Sequence, residues 1–436
     1  MQWLKQNLVI VILSVVIVAS IPVAWFIASG MNKKVRESQQ SAVVGVQRDL
    51  TAASVTYLVP AALPGDRPIE LRSAPNRILT EWFQAERERV AGDAIAVVQR
   101  AVAFNRSDHR PLVEGLFPSA GSAQRTQRLM TDFRRAVLGD ARTPSIYARL
   151  IAQHRGGDRA DLVRLYDALR DLQERETERL RLERGAAGLD ADDGDEIRAR
   201  LSERRMSEYR RRGREVSFYA TPDIFFMDQG QASRFSQQWR LASVANQADT
   251  FDAFLIQWDM WVFRDILRAV ARANTDPDGQ PTPIERSVVK RIERLAVEDL
   301  PVYGETVLAD MPSEAVSEDG LAPTDRRHSL TGRLSTAENQ VYDVRTAELV
   351  AIVSSERLPQ FFRALRETNY MTVLEITTEP VDAWEELTHG FYYGEEHVVR
   401  ATMRIETVWL RSWTAPLMPE GLRAAMGVQL VESGGE

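Results

Sequence analysis

No cysteine occurs in the 436 residues, so disulfides, thiolate metal ligands and cysteine nucleophiles are all excluded. Lysine stands only at positions 5, 33, 34 and 290, and the basic charge is carried almost wholly by arginine. Histidine is sparse as well: His109, His154, His328, His389 and His397 are scattered, without the spacing of zinc ligands. No phosphate-cradling GxxxxGK[ST], dinucleotide GxGxxG or nucleophile-elbow GxSxG is present. Carboxylates are plentiful, yet nothing in their spacing selects a catalytic pair. The expectation is a non-catalytic chain with no cofactor and no small-molecule substrate. A formal charge of −7 gives no electrostatic reason for a nucleic-acid partner.

What the chain does have begins with an apolar run. "LVIVILSVVIVASIPVAWFIAS", Leu8 to Ser29, carries no charge and is long enough to cross a bilayer as one helix. Leu8 opens it, Ile17 lies at its middle, and Trp3 and Trp25 stand near its ends, where indole rings favour the headgroup layer. A cleaved signal peptide is the competing reading, but the run exceeds the usual h-region, and an uncleaved anchor is expected. Residues 1–7 then form a short tail and 8–30 the transmembrane helix. Lys33, Lys34 and Arg36 follow the span, against Lys5 and the amino terminus before it, so a charge count leans towards a cytoplasmic main domain.

Ala42, Val46, Leu50, Ala53 and Tyr57 recur at steps of three and four, which predicts that the helix continues outwards. "VPAALPGDRP" breaks it and makes 31–73 a membrane-proximal helix and linker. From 74 to 215 the pattern is helical. Leu162, Leu165, Leu169 and Leu172 follow a short heptad, "GAAGLDADDGD" reads as a turn, and Asp161 to Arg214 is expected to be a helical hairpin or short coiled coil. "RRMSEYRRRGRE" is the one dense basic patch; its interleaved glutamates favour a solvated helix face over a phosphate-binding arm.

The C-terminal third opens with a helical stripe: Phe251, Phe254, Leu255, Trp258, Val262, Ile266, Ala269 and Ala273. "SVVKRIERLAVEDL" is ambiguous between strand and helix. After a polar stretch, "YDVRTAELVAIV" reads as a strand, and "SSERLPQFFRALRETNY" as a helix with Leu358, Phe361, Phe362 and Leu365 on one face. Phe362 is expected at the buried centre of that face. "YMTVLEITTEP" is β-rich. "HVVRATMRIETVWLRSW" alternates, with Arg400, Arg404 and Glu406 on the side expected to be wet and open to a partner. Two helix–strand–strand units within 251–411 therefore predict an α+β domain: a ferredoxin-like αββαββ plan with a four-stranded antiparallel sheet, inserts at 304–341 and 381–396, and a tail at 412–436.

The span, the helical segments and this repeat resemble PilO, the type IV pilus alignment protein family, and its type II secretion counterpart GspM. The local resemblance lies in "AELVAIVSSERLPQFFRALRETNYMTVLEITTEP" and "VVRATMRIETVWL": strand, polar turn, Leu/Phe-bearing helix, a strand of "TVLEI" type, and an alternating final strand. The helical region 74–215 is larger than that family usually has. The resemblance implies an inner-membrane, single-pass scaffold with the bulk of the chain in the periplasm. Its partners would be related inner-membrane assembly subunits, as homo- or heterodimers. It sets the amino terminus inside, against the charge count. The rival class is an extracytoplasmic sensor or ligand-binding protein held by one helix; the short tail before the span leaves a sensor little room to signal.

"NTDPDGQPTPIE" places Asn274, Asp276, Asp278 and Glu285 at the spacing of a calcium loop, with Gly279 at the sharp turn. Pro281 stands where such a loop needs a backbone N–H, and "DPDG" is also an ordinary turn, so a turn is expected and no metal.

Overall fold

An uninterrupted helix, α1 (Leu8–Ala52), carries the apolar run and continues past it with no residue buried. It is long and apolar enough to cross a membrane, roughly 65–70 Å from end to end at 1.5 Å per residue. The computed structural model describes residues 4, 6–61, 67–185, 190–225, 250–298, 330–333 and 339–429. Trp3 and most of the expected insert 304–341 lie outside them. The chain divides into two compact units, Met1–Arg100 and Ala101–Glu436.

In the first unit the helix stops before Tyr57. That residue lies instead on β1 (Val55–Val59), paired antiparallel with β2 (Ile69–Ser73). The periodic reading carries the helix too far because Tyr57 fits both the step of four from Ala53 and the alternation of Val55, Tyr57 and Val59. Tyr57 and Val59 bury against Phe83 of α2 (Arg77–Arg106). Tyr57 and Phe83 stack with ring centroids 5.1 Å apart.

The second unit takes up the chain from Ala101. Helices α3 (Ala123–Leu138) and α4 (Ile146–Gln153) are capped by Ser122 and Ser145, whose hydroxyls accept backbone N–H groups. Strand β3 (Gly156–Gly157) follows. The hairpin of α5 (Leu162–Arg184) and α6 (Ala191–Glu215) starts at Asp161, which caps Val163 and Arg164, and turns at a capping box of Asp190 and Asp193. Strand β4 (Phe218–Tyr219) leads to a short turn at Pro222–Phe225. Beyond it come α7 (Thr250–Ala273), β5 (Val289–Val297), β6 (Tyr342–Ser354), α8 (Leu358–Thr368) and β7 (Met371–Pro380). The short helix α9 (Ala383–Thr388), β8 (Val398–Leu410), α10 (Arg411–Thr414) and α11 (Glu420–Ala425) complete the chain.

The sheet corrects the expectation of four antiparallel strands. Among the described residues it has six, in the order β3-β4-β5-β6-β8-β7, and it is mixed. The pairs β5–β6, β6–β8 and β8–β7 are antiparallel, while β4 joins β5 in parallel and β3 joins β4 in parallel. That edge was invisible to pattern reading, since "GG" and "FY" are too short to alternate. It depends on glycine: a Cβ at Gly156 would come within 2.6 Å of the Phe218 ring.

The ambiguity of "SVVKRIERLAVEDL" has a structural cause. The segment is strand β5, but register shifts fall between Val289 and Arg291 and between Ile292 and Arg294. They let Val289, Ile292 and Leu295, three apart, all face the core, which imitates helical spacing.

Helix α7 lies at the centre of the unit and is buried over most of its surface, not along one apolar stripe; the line of Arg264, Arg268 and Arg272 reaches solvent. One side meets the sheet and α8. Another meets Leu116, Phe117, Met130, Phe133 and Tyr147 from the helical region, and Trp413, Met418 and Leu422 from the end of the chain join the same core.

Full burial forces α7's polar side chains to find partners. Gln257 accepts the Leu112 N–H, and the Trp261 indole donates to the Arg110 carbonyl at 3.1 Å. Asp259 pairs with Arg345 of β6 at 2.5 Å, both side chains 1% exposed. Asp265 takes the His109 ring at 3.1 Å and the Asn369 amide at 2.6 Å.

Removing one member of the Asp259–Arg345 pair takes from the other its buried counter-charge. Arg345→Met should therefore cost on the order of 3–5 kcal/mol, and Asp259→Leu with Arg345→Met should recover much of it. Urea melts of the two variants check this, and equal losses would refute it.

Candidate docking surface

Helix α8 is the element around which a docking module was expected. Its apolar side chains follow the helical period, but Phe361, Ala364, Leu365 and Thr368 are the buried set. Phe361 is fully buried and Leu365 is 1% exposed, whereas Leu358 and Phe362 are half-buried at the margin of the core. This corrects the central position expected for Phe362. Adjacent helical residues point about 100° apart, and the contact with α7 selected Phe361. Phe361→Ala should cost about 3–5 kcal/mol and Phe362→Ala about 1–2 kcal/mol, read as thermal melts. The reverse order would show that Phe362 carries the packing.

Phe362 instead lines a groove beside β7. With Leu365, Met371, Val373 and Ile376 it walls an apolar cavity of about 310 Å³. β7 is the last strand of the sheet, and from Glu375 to Pro380 it is exposed.

The far face of the sheet, where a partner was expected, is laced with ion pairs. Arg400 reaches Glu293 at 2.7 Å, and Arg404 holds Glu298 with two bonds at 3.0 and 3.1 Å. Arg294 pairs with Glu348. Glu406 is 2% exposed, covered by Thr331 at 2.6 Å and Arg333 at 2.8 Å. Arg400, Arg404 and Glu406 thus make intramolecular contacts. Strict alternation had set them on the correct side without showing what lies across from them.

One end of this face is covered by the 381–396 insert. Asp382 caps α9, and Phe391 and Tyr393 pack with Tyr219, Ile352 and Val398. The Arg291 guanidinium lies 3.8 Å from the centre of the Phe391 ring and 2.7 Å from Glu386. Arg159 approaches the same ring at 5.1 Å. Beside them a polar cavity of about 350 Å³ opens between Thr221, Asp223 and Glu293.

The residues with calcium-loop spacing hold a turn. Asn274 is buried, donates to the Ser217 and Val289 carbonyls and accepts the Val289 N–H. Asp276 accepts the N–H groups of Asp278 and Gln280. Glu285 lies in the turn Ile284–Arg286, where its carbonyl, with that of Ile284, accepts from Lys290.

Lys290 is the cation that sequence reading passed over. Its side chain is fully buried, and its ammonium also meets Glu396 at 3.1 Å, while Arg357 holds the same carboxylate at 2.5 Å. Burial outweighs Glu396 and brings the Lys290 pKa from 10.5 down to about 8. The unfolded chain keeps this proton up to its ordinary pKa, so between the two values it binds more protons than the folded one. Stability should therefore rise by on the order of 2 kcal/mol from about pH 8 towards pH 10. Above that range burial raises the Tyr219 and Tyr393 hydroxyl pKa values, and the slope turns downward. Urea melts across this range should show the rise, and Lys290→Met should flatten it; an unchanged slope in the variant would refute the assignment.

No family model matches the chain, and no curated protein matches it. Among solved structures, it is similar to the crystal structure of the type 4 fimbrial biogenesis protein PilO from Pseudomonas aeruginosa. That match has 10% identity and a TM-score of 0.18, and covers 40% of this chain and 97% of the other.

Proposed function

We propose that the chain is a membrane-anchored, non-catalytic scaffold of a type IV pilus-like or type II secretion-like machine. It acts by pairing with related inner-membrane subunits, and its bulk faces the periplasm. The observation that carries this reading is the folding of the stretch with the sequence resemblance. Residues from Tyr342 to Leu410 form strand, polar turn, Leu/Phe-bearing helix, strand and alternating final strand, in that order. The exposed apolar start of α1 supplies the anchor, with Trp25 75% exposed near the end of the span. Leu8 and Ile17 are exposed in the same way, as side chains facing lipid would be.

Reporter fusions after Gly185 and at the C-terminus should both read as periplasmic. Cytoplasmic readout at both would overturn the scaffold reading. A second reading, an anchored ligand-binding protein, draws on the polar cavity beside Arg159 and Arg291.

A further inference from the structure

The outer edge of β7 meets no strand among the described residues. A register shift between Val373 and Glu375 breaks the alternation once and sets Val373 and Ile376 on one side. From Glu375 to Pro380 the strand is regular and exposed, and such an edge is a template for another chain. Three observations point to one kind of occupant.

The first is the apolar groove between α8 and β7, on the side of the strand that carries Val373 and Ile376. Ile376 is opposite Met403, a core residue, yet remains 38% exposed. The second is charge. Glu375 and Glu379 stand on the other side of the strand, opposite Arg404 and Arg400. Those two arginines are engaged with Glu298 and Glu293. Both β7 glutamates are exposed, and neither has an ion-pair partner within 4 Å among the described residues. The third is a contact made at the near end of the same face. Arg333 comes from an irregular segment, lies against β7 and β8, and bonds both Glu406 and Thr372.

We propose that this edge takes up an extended segment of a partner protein as an added strand, its residues alternating between apolar and arginine or lysine. The period of two in a strand sends one set of side chains into the groove and the other towards Glu375 and Glu379. These glutamates are four residues apart, about 13 Å along the strand, so basic residues at matching spacing meet both. A second copy of β7 does not fit. It would bring its own glutamates to the same face with no cation between them, and like charges across strands repel. The inference rests on the scaffold reading for its setting, but its test is made in vitro, so topology and docking can fail separately.

The probe is an eleven-residue fluorescein-labelled peptide alternating valine and arginine, titrated against the detergent-solubilised full chain. Saturable binding is expected, lost when the backbone is N-methylated at alternate residues. Peptides alternating valine with glutamate should not bind. The double variant Glu375→Gln with Glu379→Gln, exposed changes that leave the core intact, should weaken binding about five- to tenfold, the weight of two exposed ion pairs. Equal binding of a block peptide with all valines before all arginines would overturn the proposal in favour of bulk electrostatics. Unchanged affinity of the double variant would overturn it too, as would self-association of the chain that the peptide does not compete away.

Discussion

The second unit depends on the burial of α7 over most of its surface. Outside the stripe of Arg264, Arg268 and Arg272 the helix has no wet face, yet Gln257, Asp259 and Asp265 stand on its buried sides. Each must be satisfied by groups distant in sequence. Asp259 reaches Arg345 in the sheet, and Asp265 reaches His109 and Asn369. Asn105 extends the network, accepting from the Leu410 N–H and the Trp413 indole and donating to the Val408 carbonyl. The helical region, the sheet and the end of the chain are therefore tied through one helix. Because an unpaired buried charge is far more costly than an exposed one, those ties allow few alternative arrangements.

The same logic divides the sheet's two faces. The face towards α7 and α8 is apolar, with Ala347, Leu349, Ala351, Ala401, Met403 and Ile405 fully buried. The other carries arginine–glutamate pairs that reach across β6, from β8 to β5 and the residue after it, and one end of it is covered by the 381–396 insert. Exposed pairs of this kind add little stability individually, but they leave few unpaired charges for a partner. Surface that remains to be covered lies at the margin, where α8 presents Phe362 and β7 ends the sheet.

Lys290 and Asn274 join β5 to the turn before it. Asn274 ties the residue before β4 to β5 through the Ser217 and Val289 carbonyls. Lys290 occupies the concave side of the turn at 284–286 and reaches Glu396 in the insert. A motif with cation-loop spacing thus sits beside a protein-borne cation bound mostly by oxygen atoms of the main chain. Spacing in sequence could not distinguish these arrangements, because both need a sharp glycine turn followed by closely spaced oxygen atoms.

Period and composition alone determined the apolar span, the capped α5–α6 hairpin, the α8 helix and the strands β6 and β8. Each is long enough for its apolar spacing to be unambiguous, and each carries its caps or turns locally. The tertiary structure decided what required a neighbour. It chose Phe361 over Phe362, since which of two adjacent rings is buried depends on where α7 lies. It engaged Arg400, Arg404 and Glu406 with partners in the same chain, since Glu293, Glu298 and Arg333 are remote in sequence. It added β3 and β4, two residues each, because a strand that short exists only through the strand beside it.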